Sequence, residues 1–227
     1  MIKKEKSGWQ THTHNPSKFK KSLESSTAIP KTFEEGIEFI KDRTFETEEG
    51  LVMTAIKTPA DKKPWQTLGD LHFHNIKTMM GYFYMENREP PLSVSATDGE
   101  TAFCFHRGED IDRVKMCKIL RKVFIEKNVQ RYAVISGAWY TKHKKGEKIT
   151  CSPSQNPNRK ECIFLYSEDI NGKFCFSGWD IIERHKGKRE LKETHSSINK
   201  DIDPKDEAHL RGKFMGLLQH LGKEGGK

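Results

Sequence analysis

Residues 161–184 read ECIFLYSEDINGKFCFSGWDIIER, two apolar runs on either side of Asn171-Gly172. An Asn-Gly pair between such runs predicts a tight β-hairpin, because both central residues of the preferred turn adopt a positive φ. The runs RYAVISGAWYT at 131–141 and KRELKETH at 188–195 extend the pattern on both sides. We therefore predict an antiparallel meander of four strands in this half of the chain.

The half of the chain before residue 108 also has the character of β structure. Asp98-Gly99 stands between LSVSAT and ETAFCFH and predicts a second hairpin. Three more stretches are predicted as strands: LVMTAIK at 51–57, LHFHNI at 71–76 and MMGYFYM at 79–85.

Three helices are predicted in addition. Thr32 and Glu35 form a capping-box pattern before a short amphipathic helix that ends near Arg43. Residues 109–127 carry an apolar stripe at helical spacing, made of Ile111, Val114, Cys117, Leu120 and Phe124. A final helix is predicted from Asp203-Pro204 to Gly222. The expected fold is therefore α+β, an antiparallel β meander and hairpins with one long central helix and a C-terminal helix.

The positive charge of the chain is local. The formal net charge is +8, and residues 1–31 hold seven lysines against two glutamates (net +5). Residues 141–160 hold six basic residues against one glutamate (+5), and residues 118–131 hold five against one (+4). We predict a flexible basic tail at 1–30, a single α+β domain at 31–222 with a possible subdivision near 108, and a short tail at 223–227.

The compartment is expected to be the cytoplasm. The first residues lead into no apolar core of a signal peptide, and no run of about 18 apolar residues predicts a membrane span. The five cysteines are odd in number and form no CxxC pair, which favours free thiols in a reducing environment.

Histidine pairs raise the possibility of a metal site. His72 and His74 lie two apart in a predicted strand, so both side chains would face the same side and could hold Zn²⁺ or Mn²⁺. Cys104 and His106 repeat that spacing. The alternative is partly exposed histidines and a buried thiol with no metal. No Ser or Cys has the sequence context of a nucleophile, so the motifs favour a binding protein over an enzyme.

The segment 142–160 joins two adjacent predicted strands and is roughly four times longer than an ordinary hairpin loop. Its first part carries Lys144, Lys145 and Lys148. Its second part, CSPSQNPNRKEC at 151–162, offers Ser154, Asn158 and Arg159 as donors to an anion. Trp139 precedes the loop and is a candidate for stacking. The alternative is that Arg159 only pairs with Glu161.

Two short motifs resemble a pattern found in uncharacterised bacterial and mobile-element proteins. SGAW at 136–139 and PSQNPNRKE at 153–161 are similar to S-E-A-W followed by P-S-x-x-P-x-R-x-E and a strand. The resemblance covers about residues 131–170. Gly137 stands where the pattern has an acidic residue, and Asn158 stands where it has Asp. The resemblance implies a module and no particular reaction.

Three hypotheses on function follow. The preferred one is a small soluble accessory protein that binds an anionic partner, nucleic acid or an acidic protein surface, through its basic loop and tail. The second is a metal-dependent hydrolase or nuclease that uses the strand histidines. The third is a structural protein-interaction domain whose charge serves solubility.

Overall fold

A computed structural model describes residues 43–46, 50–57, 63–107, 111–141, 151–183, 188–201 and 214–218. They form one eight-stranded sheet with a helix on each face. The strands are β1 (Thr44–Glu46), β2 (Leu51–Lys57), β3 (Ser93–Thr97), β4 (Thr101–Arg107), β5 (Arg131–Tyr140), β6 (Lys160–Asp169), β7 (Lys173–Glu183) and β8 (Arg189–Asp201). The helices are α1 (Leu68–Met80), which continues as a π-helical turn at Gly81–Met85, and α2 (Arg113–Glu126); a 3₁₀ turn occupies Pro153–Gln155.

The strand order explains why the two helices lie on opposite faces. The order is β1-β2-β4-β3-β5-β6-β7-β8, and every neighbouring pair is antiparallel. The connection from β2 to β3 runs through α1 and passes β4, while the connection from β4 to β5 runs through α2 and passes β3. Crossovers of this kind are almost always right-handed. Since β2 and β4 run in opposite directions, two right-handed crossovers place their helices on opposite sides of the sheet.

The side chains of β5, which alternate between two apolar clusters, agree with this arrangement. Tyr132 and Val134 belong to the apolar cluster that contains the buried residues of α2. Ala133 and Ile135 belong to the cluster that contains Leu71 and Met79 of α1. Because successive side chains of a strand point to opposite faces, β5 contributes to both cores and lies at the centre of the fold.

The α+β class and both predicted hairpins are confirmed. Val94 pairs with Phe105 in the first hairpin and Tyr166 with Phe176 in the second. The two turn glycines have positive φ, 100° at Gly99 and 77° at Gly172, whereas Asp98 and Asn171 do not. The hairpins therefore form without the turn in which both central residues have positive φ. The predicted meander of four strands is β5 to β8.

The strand predictions for 71–76 and 79–85 are wrong, because these residues form α1 and the π-helical turn. The buried residues of α1 follow a helical period: Leu68, Leu71, His72, Asn75 and Met79. Two of these five side chains are polar, whereas the apolar Phe73 is 60% exposed. The helix begins with a capping box in which Thr67 Oγ1 accepts from the Asp70 amide at 3.1 Å and Asp70 Oδ2 accepts from the Thr67 amide at 2.9 Å.

Within the predicted range 109–127 the chain forms the 14-residue α2. At its start Asp112 Oδ1 accepts a hydrogen bond from the Lys115 amide at 2.7 Å. It packs on one face of a single sheet. Val114, which the sequence placed in the apolar stripe, is 52% exposed.

Several predictions fall on residues outside the described ranges. These are the tails at 1–30 and 223–227, the helix that ends near Arg43, and most of the C-terminal helix. Of that last helix only 214–218 are described, and they form a bent segment that is not helical. Neither described helix has the length and apolar character needed to cross a bilayer.

Candidate functional site

The two motifs that were singled out in the sequence meet at one end of β5 and β6. Trp139 and Tyr140 of β5 pair with Glu161 and Lys160 of β6. Beside this pair lies a cavity of about 500 Å³, which we name the Trp139 cleft. It is lined by Glu89, Arg113, Gly137, Ala138, Trp139, Ser154 and Glu161.

Trp139 is held in a fixed orientation although it is 46% exposed. Its indole Nε1 donates a hydrogen bond to Glu161 Oε1 at 3.3 Å. The Arg159 guanidinium carbon lies 5.1 Å from the ring centroid, within the range of a cation–π contact. Arg159 Nη1 in turn donates to the carbonyl oxygen of Ser154 at 2.7 Å. The structure therefore brings together three of the predicted binding residues, Trp139, Ser154 and Arg159.

The alternative role for Arg159, an ion pair with Glu161, does not occur. The Glu161 carboxylate contacts the Trp139 indole and, at 3.6 Å, the guanidinium of Arg189. Within the described ranges Arg159 has no carboxylate at ion-pair distance.

Hydrogen-bonded turns stabilise the second part of the long loop, from residue 151 to β6. Asn156 Oδ1 accepts from the Asn158 amide at 2.8 Å, and the Asn156 carbonyl accepts from the Arg159 amide at 3.1 Å. The Ser152 and Ser154 hydroxyls are 2.8 Å apart. Asn158 is exposed and does not line the cleft. Lys144, Lys145 and Lys148 lie outside the described residues.

Three charged residues reach the site from distant parts of the chain. Arg189 Nη2 forms an ion pair with Glu89 Oε1 and lies near Glu161, so one guanidinium bridges two carboxylates. Arg113 Nη2 approaches the Ser136 hydroxyl at 3.4 Å and the Gly137 carbonyl at 3.5 Å. The lining of the cleft holds Arg113 against Glu89 and Glu161. Arg159 and Arg189, which lie beside it, bring these five side chains to a net charge of +1. Sequence reasoning missed Arg113 and Arg189, which no shared motif connects to each other or to Glu89.

Gly137 leaves room for the carboxylate of Glu89. A Cβ atom at residue 137 would lie 3.3 Å from Glu89 Oε2. The pattern that this region resembles has an acidic residue at position 137 itself. In this chain the carboxylate of Glu89, from the segment that follows α1, lies next to Gly137.

A second cavity of about 610 Å³ also has Trp139 in its lining. Trp139, Arg159 and Glu161 line it together with Lys160, Asp180, Ile181, Ile182, Glu183 and Lys192. Asp180 accepts from the Tyr140 hydroxyl at 2.7 and 2.9 Å; burial and this carboxylate raise the pKa of Tyr140 to about 12. The indole of Trp139 therefore forms a wall shared by two cavities.

The histidines predicted as metal ligands are not brought together. His72 is buried in α1, with Nδ1 2.8 Å from Ser167 Oγ and Nε2 3.0 Å from Ser177 Oγ, and burial lowers its pKa to about 4. His74 is exposed, and its ring centroid lies 5.0 Å from that of Trp65. Two residues that are two apart on a helix point about 200° away from each other. The shared strand face on which the prediction rested is therefore absent.

Cys104 and His106 do lie on one strand, β4, with Cys104 half-buried and His106 exposed. Burial raises the pKa of the Cys104 thiol, and its hydrogen bond with Ser95 opposes this. The described part of the chain holds no group of three or more His, Cys, Asp or Glu residues that could bind a metal ion. All five cysteines are free thiols.

No family model, no curated protein and no solved structure matches this chain.

Proposed function

We propose that the protein binds an anionic partner at the Trp139 cleft and the basic segment that follows β5. Nucleic acid is the preferred partner, and an acidic protein surface is the alternative. One observation carries the proposal: an indole fixed by two contacts is exposed next to an arginine that has no carboxylate partner among the described residues. Exposed aromatic rings with arginines beside them are the usual means by which proteins hold nucleic-acid bases and phosphates.

Arg113, which lines the cleft, and Arg159, which lies beside it, keep N–H donors for a phosphate. The described contacts of Arg159 use one N–H on a carbonyl oxygen and the face of the ring on an indole. Those of Arg113 are two long contacts to a hydroxyl and a carbonyl. A guanidinium has five N–H donors in a planar fork that matches phosphate oxygens, so among the described residues both arginines retain N–H donors that are not bonded to a carboxylate.

The carboxylates near Trp139 repel an anion less than their number suggests. Arg189 bridges Glu89 and Glu161 and offsets part of their charge, while Asp180 accepts from the Tyr140 hydroxyl. The chain that leaves β5 then supplies four lysines against one glutamate within 142–150. These lysines would provide the electrostatic attraction, and the cleft would provide the fixed contacts.

We expect binding of labelled DNA or RNA oligonucleotides that weakens steeply when salt rises from about 50 to about 200 mM, because each neutralised phosphate releases counterions. Replacing Arg159 by Gln is expected to weaken binding by about tenfold, which corresponds to about 1.4 kcal/mol. Charge reversal of Lys144, Lys145 and Lys148 is expected to reduce the salt slope. Fluorescence anisotropy across a salt series measures the affinity and the salt slope of the unaltered protein and of both variants.

Arg88→Gln is the matched control, because Arg88 also lies over an aromatic ring, that of Tyr82 at 4.9 Å, and pairs with Glu86 outside the cleft. It should bind as the unaltered protein does. Binding that is absent, or that does not change with salt, would contradict the proposal. Binding to an acidic polypeptide but not to any nucleic acid would reassign the site to an acidic protein surface.

A further inference from the structure

We infer that the ligand of the Trp139 cleft is a single-stranded nucleic acid, with one base stacked on the indole and neighbouring nucleotides in the two cavities that Trp139 lines. This rests on the proposed function and specifies the form of nucleic acid. The starting observation is the contrast between two tryptophans of the same sheet. Trp179 is 4% exposed and part of the core, whereas Trp139 is 46% exposed.

The shape around Trp139 fits an unpaired strand. The indole lines cavities of about 500 and about 610 Å³, and both volumes lie within the range of about 300–1,000 Å³ that small-molecule sites occupy. In a duplex the faces of the bases are covered by their neighbours and are not accessible to an aromatic side chain. An unpaired strand exposes those faces, and stacking on aromatic residues is how such strands are held without regard to sequence.

The indole is also prepared for stacking before any ligand arrives. The hydrogen bond from its Nε1 to Glu161 and the guanidinium of Arg159 limit its rotation. Since the side chain has little freedom left to lose, ordering it on binding costs less. Arg159 can contact a phosphate while it remains against the ring, because its planar group both donates and stacks.

Acidic peptides fit these features less well. A run of carboxylates would satisfy Arg113 and Arg159, but it offers no planar group to an indole that is exposed and fixed. Glu89 and Glu161 line the cavity as well, and their oxygens can accept hydrogen bonds from N–H groups of bases, which the side chains of an acidic peptide do not offer.

Three probes of equal length test this: oligo(dT), an abasic strand with the same phosphates, and a duplex. We expect the full-length protein to bind oligo(dT) about tenfold or more tightly than the abasic strand, the size of one stacking contact. Trp139→Ala should remove most of that difference and leave binding of the abasic strand within about twofold, since phosphate contacts persist. Trp139→Phe, which restores a ring, should recover part of it.

Phe73→Ala is the control, because Phe73 is an exposed aromatic residue on α1 that does not line either cavity. Equal, salt-dependent affinity for the three probes would overturn this inference and leave the proposed function standing. An unchanged preference for oligo(dT) in Trp139→Ala would also overturn it. Absence of binding to every probe would overturn this inference and the choice of nucleic acid in the proposed function.

Discussion

Replacing Glu168 by alanine is expected to lower the free energy of unfolding by about 3–5 kcal/mol, a large part of the total for a single domain. Glu168 is completely buried on β6. Its Oε2 accepts from the Tyr132 hydroxyl at 2.6 Å, the Tyr166 hydroxyl at 3.0 Å and the Gly216 amide at 2.7 Å. Alanine would deprive these three donors of that acceptor in a water-free core. Urea denaturation followed by circular dichroism measures the loss.

Three further variants separate this network from a general effect of mutation. Glu168→Gln keeps an acceptor oxygen and should cost less than half as much. Tyr166→Phe removes one donor and should cost about 1–2 kcal/mol, which keeps the test decisive if the alanine variant does not fold. Glu183→Ala changes an exposed residue at the end of β7 and should stay within about 0.5 kcal/mol. A cost for Glu168→Ala no larger than that of Glu183→Ala would contradict the prediction.

The same network attaches the segment 214–218 to the sheet. The Tyr132 hydroxyl accepts from the Leu217 amide at 3.2 Å and lies 3.0 Å from the Phe214 carbonyl. Phe214, Leu217 and Leu218 are buried in the cluster with α2. The apolar spacing near the end of the chain therefore identified side chains that are buried, although the helix it predicted is absent from these five residues. Burial of Glu168 raises its pKa, and the hydrogen bonds from Tyr132, Gly216 and Tyr166 oppose this.

Local turn chemistry made the hairpins predictable, and long-range hydrogen bonds made α1 unpredictable. Asp98-Gly99 and Asn171-Gly172 determine their turns with a few neighbouring residues. In 68–79, by contrast, the buried face includes His72 and Asn75 and the exposed face includes Phe73. Polarity therefore indicates the wrong face. What permits burial of His72 is a pair of serines about 100 residues away in the chain, which no local pattern reveals.

The residues of the candidate site also divide into those that the sequence could predict and those that it could not. Trp139, Ser154 and Arg159 could be predicted because they belong to one loop and its flanking strands. Glu89 and Arg189 lie 100 residues apart and become neighbours only when the sheet brings the start of β8 beside the segment that follows α1. Single positions such as these have no spacing that a sequence pattern could detect.

Acidification is expected to destabilise the protein through His72 by up to about 3 kcal/mol between about pH 7 and pH 4. Burial lowers the pKa of His72 from 6.5 to about 4. In that window the unfolded chain takes up a proton at His72 and the folded protein does not, so the free energy of unfolding falls as the pH falls. Protonation would also turn both ring nitrogens into donors, so the serine that donates to the neutral ring, either Ser167 or Ser177, would have to accept instead.

The variant His72→Gln isolates this contribution, because glutamine keeps a donor and an acceptor but does not titrate. It should be less stable than the unaltered protein at about pH 7, and this difference should shrink toward about pH 4 as the unaltered protein loses stability. Glu168, whose pKa is raised, favours the folded state at low pH and acts in the opposite direction in both proteins, so it cancels in the comparison. His74→Gln, on the exposed side of the same helix, should retain most of the fall. An equal fall in the unaltered protein and in His72→Gln would show that another group titrates.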